Sequence, residues 1–323
     1  MAPARDLSEA LRILFRIRRG DAALIVHDQW ARGASRLTRE ALEQAGAAVG
    51  CYELPEGRRP LEDVPDDLLA LLERQRPALV FNQLKGYGGE TPFRIALLSE
   101  ETALGARVGH SPDITPEILR RTMAADFTEM ARRAARVRRR LRGASQLRMT
   151  APGGTDIAFS SAGRACIDDL SVGPGQKCNI PPGEAYLAPV EESADGVIVC
   201  DGSIGDIGPV GRPLAIRVAA GRALELKSAD QALAERVARL LAIDAGASLI
   251  GELGIGLNPE ARLTGNLLED EKALGTAHVA FGNNLDMPGG RNDSVTHRDF
   301  VIRSPTLANV ETGEVIVKDG HIV

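Results

Sequence analysis

An α/β open-sheet domain over residues 1–143, followed by a β-rich α+β domain over residues 144–323, is the fold that the sequence predicts. Three observations carry this. Strand and helix patterns alternate through the first part of the chain, while short strands separated by Pro-Gly and Gly-Gly turns take over in the second. The length of 323 residues also exceeds what one hydrophobic core usually organises.

Leu11, Leu14, Phe15 and Ile17 share one side of a helical period and predict a helix over Leu7–Arg19. Ala22–Val26 reads as a short buried strand. A helix from about Ser35 to Ala45 follows, then a strand near Ala47–Leu54, a helix near Pro65–Glu73, and strands at Ala78–Phe81 and Ala106–Gly109. One long helix is expected over Ile118–Leu141, carrying Arg132, Arg133, Arg136, Arg138, Arg139 and Arg140, with Arg142 just beyond it. These arginines go round most of the helix and no aromatic residue interleaves to stack bases, so a solvated connector or dimer-contact helix fits better than an RNA-binding one. Gly143-Ala144-Ser145 then marks a domain boundary. Beyond it come strands at Gln146–Thr150, Thr155–Phe159, Val197–Asp201, Leu214–Ala219 and Ala223–Leu226, one helix at Ala229–Leu241, and strands near Val295–Ile302 and Glu314–Val317.

Composition narrows the function classes. A hydrophobic content of 44% with 26% charged residues is that of a soluble globular protein, and a net charge of -5 gives nucleic acid no electrostatic invitation. No apolar run reaches the ~20 residues of a membrane span, and arginines interrupt the apolar pattern at the N-terminus, which points to the cytoplasm. Cys51, Cys166, Cys178 and Cys200 lack Cys-x-x-Cys spacing and read as small buried hydrophobes. Gly86-Tyr87-Gly88-Gly89 has the glycines of a phosphate loop, but no Gly-Lys-Ser/Thr follows, so an ordinary strand-to-helix loop is expected. In His110-Ser111-Pro112-Asp113 adjacent residues cannot form a catalytic triad with one another; Asp113 or Thr115 instead caps the helix ahead of Pro116.

The chemistry concentrates in Glu271–Asp299. His278 and His297 are two of five histidines in the chain, and both sit in short apolar runs bounded by glycines. His297 and Asp299 are two apart, so on a strand both side chains leave the same face and can converge on one ion. Glu184, in Pro-Pro-Gly-Glu-Ala-Tyr-Leu, and Glu252, in Gly-Glu-Leu-Gly-Ile-Gly, occupy similar settings. Burying a lone carboxylate costs several kcal/mol, on the order of 3–5, and a metal compensates it. Together these oxygen and nitrogen donors suit a pair of divalent ions.

Asn179–Pro189, Leu249–Gly254, Asp270-Glu271-Lys272, His278–Gly282 and Gly289-Gly290 through Asp299 form five blocks that resemble, in order, the dinuclear metallo-aminopeptidases of the aminopeptidase T and aminopeptidase S type. The resemblance implies that Glu184, Glu252, His278, His297 and Asp299 are metal ligands, with Glu271 a sixth. It makes Glu252 the bridge between two ions (Zn, Co, Mn or Mg) and the catalytic proton carrier. It further implies a small peptide substrate and a homodimer whose second subunit helps enclose the site. The family's catalytic tyrosine position is Leu285 here, which leaves Tyr186, Asn283, Asn284 or another group to polarise the carbonyl. A divergent branch of the same superfamily resembles mononuclear iron dioxygenases that open dihydroxypyridine rings; there His278, His297 and Asp299 would form an Fe(II) triad, but that branch lacks the two glutamates.

Overall fold

The structure, a computed structural model, describes residues 7–87 and 89–323; Gly88 of the glycine-rich turn lies outside them. The chain forms two compact units, one made of the chain up to Thr128 with Asp169–Pro182, the other of Glu129–Asp168 with Gly183–Val323. The architecture is mixed α/β with three sheets.

In chain order the first elements are α1 (Leu7–Phe15), β1 (Ala22–His27), α2 (Arg32–Gln44), β2 (Ala48–Glu53), α3 (Asp66–Gln75), β3 (Leu79–Leu84), α4 (Thr91–Ala103), β4 (Arg107–Pro112), α5 (Pro116–Thr122) and α6 (Phe127–Leu141). With β8 (Lys177–Asn179), the strands build one parallel sheet in the order β2-β1-β3-β4-β8. A parallel sheet covered by helices on both faces calls for continuous apolar runs, which is how residues 22–26 of β1 and 79–81 of β3 read, although β3 goes on to bury Asn82 and Gln83. Leu24, Val26, Val80 and Val108 pack with Leu68 and Leu72 of α3 and Phe93 and Leu97 of α4.

Several expectations are corrected here. The first helix stops at Phe15 because Arg16 turns into the left-handed region at φ 50°. Helix α4, implied by the strand-to-helix loop but given no bounds, shows why its stripe is faint: Ile95 is exposed while Phe93, Leu97 and Leu98 are buried, so apolar residues stand on both faces. The single long helix is two, α5 and α6. Thr115 Oγ1 accepts from Ile118 N at 3.2 Å to start α5, and Asp126 Oδ1 accepts from Thr128 N at 2.9 Å to restart the chain as α6. Nor is the arginine face wholly solvated: Arg133 and Arg140 donate to the carbonyls of Leu257 and Val315, and Arg138 pairs with Asp168. Of the cysteines, only Cys200 is fully buried, and Cys51 is exposed because β2 is an edge strand.

The remaining elements are β5 (Gln146–Thr150), β6 (Asp156–Ser160), β7 (Ile167–Asp168), β9 (Glu184–Leu187), β10 (Asp195–Cys200), β11 (Ser203–Ile204), β12 (Gly208–Pro209), β13 (Leu214–Ala219), β14 (Arg222–Ser228), α7 (Gln231–Leu240), β15 (Ile250–Gly256), α8 (Leu267–Asp270), β16 (Thr276–Gly282), β17 (His297–Arg303), β18 (Thr306–Asn309), β19 (Val315–Lys318) and β20 (His321–Ile322). One sheet runs β14-β13-β10-β6-β5-β18-β19-β20 and the other β12-β11-β17-β16-β15-β9-β7. Among the described residues, no helix is long and apolar enough to cross a membrane.

Glu101 of α4 is fully buried. Asn82 Nδ2 donates to its Oε2 at 2.7 Å, while Asn82 Oδ1 and Glu101 Oε1 have no partner among the described residues. Burial pushes the Glu101 carboxyl up to about 8 even though the Asn82 amide favours its charged form, so the group is neutral in the fold near pH 7. A raised folded pKa means that stability is complete below the carboxyl's ordinary value of 4.5 and is lost as pH climbs toward 8. The loss amounts to about 1.4 kcal/mol per pH unit across that window. Glu101→Gln offers an N–H in place of the O–H and does not titrate. Thermal unfolding should find it close to wild type at pH 4.5 and several degrees more stable at pH 8; a less stable variant at pH 8 would contradict a neutral Glu101.

Candidate metal centre

The candidate ligands share one face of the seven-stranded sheet. On β15 Glu252, Gly254 and Gly256 alternate with Leu253 and Ile255, on β16 His278 and Ala280 alternate with Val279 and Phe281, and on β17 His297 and Asp299 flank Arg298. The opposite face is apolar core, where Phe281 and Phe300 meet edge to face at 5.4 Å. Register sets the spacing of the ligand face. Glu184 lies opposite Gly256, His278 opposite Gly254, Glu252 and Asp299 on either side of Ala280, and His297 opposite Gly282. Each candidate ligand therefore faces a residue with little or no side chain, which opens a hollow over the strands.

Two groups of donor atoms fill that hollow: Glu184, Glu252 and His278 in one, Glu252, His297 and Asp299 in the other. His278 Nε2 is 3.1 Å from Glu252 Oε1 and 3.2 Å from Glu184 Oε2. His297 Nε2 is 3.1 Å from Glu252 Oε2 and 3.5 Å from Asp299 Oδ1. Glu252 thus directs one oxygen to each group. Nδ1 of His297 lies 2.7 Å from the Asn283 carbonyl, which can only accept, so Nδ1 donates there and Nε2 is the nitrogen turned to the carboxylates, free to ligate once an ion replaces its proton. Lys272, wholly buried, donates to Glu184 Oε1 at 2.5 Å and to Glu271 Oε1 at 2.6 Å.

Glu184, Glu252, Glu271 and Asp299 are all buried, with Lys272 the basic side chain among them. The ionisations record this crowding. Burial opposes charge on both histidines, yet Glu184 and Glu252 raise His278, and Asp299 and Glu252 raise His297, well above the ordinary imidazole value. Burial also opposes ionisation of Asp299 and Glu184, but His297 holds the first and Lys272 with His278 hold the second below the carboxylate range. Burial pushes Glu271 up to about 8, against Lys272 and with help from Asp299 and Glu184. Protons stand where cations would otherwise balance the site. The donor set of imidazole nitrogen and carboxylate oxygen fits divalent ions of the zinc, cobalt and manganese kind.

The site gathers Glu184, Glu252, His278, His297 and Asp299, while Glu271 lies beside it, against Lys272 and outside both donor groups. Lys272 is named in the sequence only as part of the Asp270-Glu271-Lys272 block, and its partnership with Glu184 and Glu271 appears only in the fold. Leu285 is 51% exposed and brings no polar group. Both asparagines near it are engaged in anchoring their own loop: Asn283 Nδ2 donates to Ser294 O, and Asn284 Nδ2 to Glu191 Oε1 and Gly251 O. Asp244 secures the far side of that loop, accepting from Ser294 Oγ and Val295 N just ahead of His297.

Residues 118–321 match the profile of the thermophilic metalloprotease (M29) family. None of the curated proteins matches the chain in sequence. Among solved structures, a 2,5-dihydroxypyridine dioxygenase from Pseudomonas putida KT2440 is similar in fold, with a TM-score of 0.76 and 18% identity over 98% of this chain and 95% of the other. Wild-type AmpT from Thermus thermophilus superposes with a TM-score of 0.71 and 20% identity over 98% of each chain.

Gly254 tests the geometry of the hollow, because a Cβ there would come within 1.9 Å of His278 Nε2. The imidazole would have to leave its place. Gly254→Ala should fold and yet bind at least one metal equivalent fewer, as measured by elemental analysis after metal loading and desalting. Full metal content in that variant would mean that His278 is not a ligand where it stands.

Proposed function

The chain belongs to the thermophilic metalloprotease (M29) family, and on that premise we propose that it is an aminopeptidase working through two divalent ions bridged by Glu252. One observation carries the reading: the two donor groups share Glu252, which presents a separate oxygen to each. Glu184 and His278 would hold one ion, and His297 and Asp299 the other. Ions held there supply a Lewis acid and a water acidic enough to react near neutral pH.

The chain's own residues do the rest. Glu252, in reach of both groups, would release one of its two oxygens to carry the proton of the attacking water to the leaving amine. His297, a third exposed, marks where the buried cluster meets solvent and substrate enters. The acidic lining favours a substrate that arrives with a free, cationic α-amino group, which makes the reading one of N-terminal cleavage. With leucine at position 285 no phenol is offered from that loop, so turnover of unactivated peptides is slow compared with anilides. Exposed Arg132, Arg136 and Arg139 on α6 fit a homodimer contact within the same reading.

In the iron-dioxygenase alternative, His278, His297 and Asp299 would share one ion, yet they divide between the two donor groups. Hydrolysis of leucine p-nitroanilide by metal-loaded protein tests the choice, beside oxygen uptake with 2,5-dihydroxypyridine. Glu252→Gln should cut anilide turnover to below roughly a hundredth of wild type and lose a metal equivalent. Oxygen uptake without anilide hydrolysis would overturn the peptidase reading. Light scattering of the same sample at twice the mass of one chain supports the dimer, and a fully active monomer refutes it.

A further inference from the structure

The five proposed ligands leave one charged side chain of the cluster without a task. Lys272 is wholly buried, and its backbone is pinned on both sides: its N–H donates to Glu269 O at 3.0 Å, and its carbonyl accepts from Asn258 N at 2.9 Å. Carrying an ammonium into a closed site is costly unless charge and hydrogen bonds repay it, and an apolar side chain would pack as well.

The oxygens facing it tell what it does. Glu184 gives Oε1 to Lys272 and keeps Oε2 3.2 Å from His278 Nε2. Glu271 gives Oε1 to Lys272 and joins neither donor group. Freed from Lys272, those two oxygens would be available to close the coordination of an ion beside His278, and a metal whose positions are all filled by protein is structural instead of catalytic. Resting on the metal-pair reading above, we infer that Lys272 is a positioning residue that restricts Glu184 to donation through Oε2 and fences Glu271 out of the coordination sphere. The ion beside His278 thereby keeps a position open for substrate. Glu271 is then an outer group whose Oε1 accepts from the ammonium.

Cobalt(II) titration followed by visible absorption reads stoichiometry, affinity and coordination number without any assay of activity. Glu271→Gln in the otherwise native chain should bind as many equivalents as wild type, with the same spectrum and a Kd within about threefold. Lys272→Met should bind cobalt(II) at least about tenfold more tightly, with the weaker bands of a more highly coordinated ion, and adding Glu271→Gln to it should remove most of that gain. Loss of an equivalent in Glu271→Gln alone, with wild type binding two, would make Glu271 a ligand and overturn the inference while leaving the metal reading intact. That single variant decides the matter even where Lys272→Met does not fold. An unchanged spectrum and affinity in a folded Lys272→Met protein also overturns it. Wild type that takes no cobalt(II) would sink both.

Discussion

Four buried acidic side chains, three on one face of a β-sheet and Glu271 beside them at the end of α8, are the constraint to which the rest of the second unit answers. Glu184, Glu252, Glu271 and Asp299 cannot all hold their charge away from water without cations close by. Lys272 supplies one charge, and the two histidines, raised by their carboxylate neighbours, supply more when no metal does. The sheet accommodates the cluster by placing glycine or alanine opposite Glu184, Glu252, His297 and Asp299 and on one side of His278. Its other face repays the cost with an apolar core around Phe281 and Phe300.

Rigid strands alone would not orient the imidazoles. His297 is aimed by the Asn283 carbonyl, and Asn283 sits in a loop tied down by Asn284, Asn292, Glu191 and Asp244. Preorganising ligands through a second layer of hydrogen bonds is how proteins hold metal geometry without strain. The exposed Leu285 and Val295 belong to the same loop, so the segment that fixes the histidine also turns large apolar side chains to solvent. Exposure of large apolar side chains there is consistent with contact to a peptide.

How much of this was legible in the sequence follows from the kind of signal each element leaves. The alternation of strands and helices was readable because buried parallel strands such as β1 are plain apolar runs. Two apart on a strand, His297 and Asp299 had to share a face. The gathering of Glu184, Glu252 and His278 rested on a family resemblance, since residues far apart in the chain meet only through strand pairing that no local pattern encodes. Helix α4 was hidden by the exposed Ile95, and the break between α5 and α6 by continuous helix-forming residues whose interruption depends on Asp126. β8 reaches the first sheet from residues 177–179, a long-range pairing of three residues too short to show a period. The alternating Gly254 and Gly256 were visible, but their purpose becomes clear only once the register sets them against His278 and Glu184.

The central claim is that Glu252 divides its two oxygens between two ions. Crystals soaked in zinc, with anomalous difference maps collected on both sides of the zinc absorption edge, test it most directly. The account predicts two zinc peaks in each chain, one beside Glu184 and His278 and one beside His297 and Asp299, with the Glu252 carboxylate between them. A single peak coordinated by both histidines and Asp299, with Glu252 and Glu184 turned away, would contradict it.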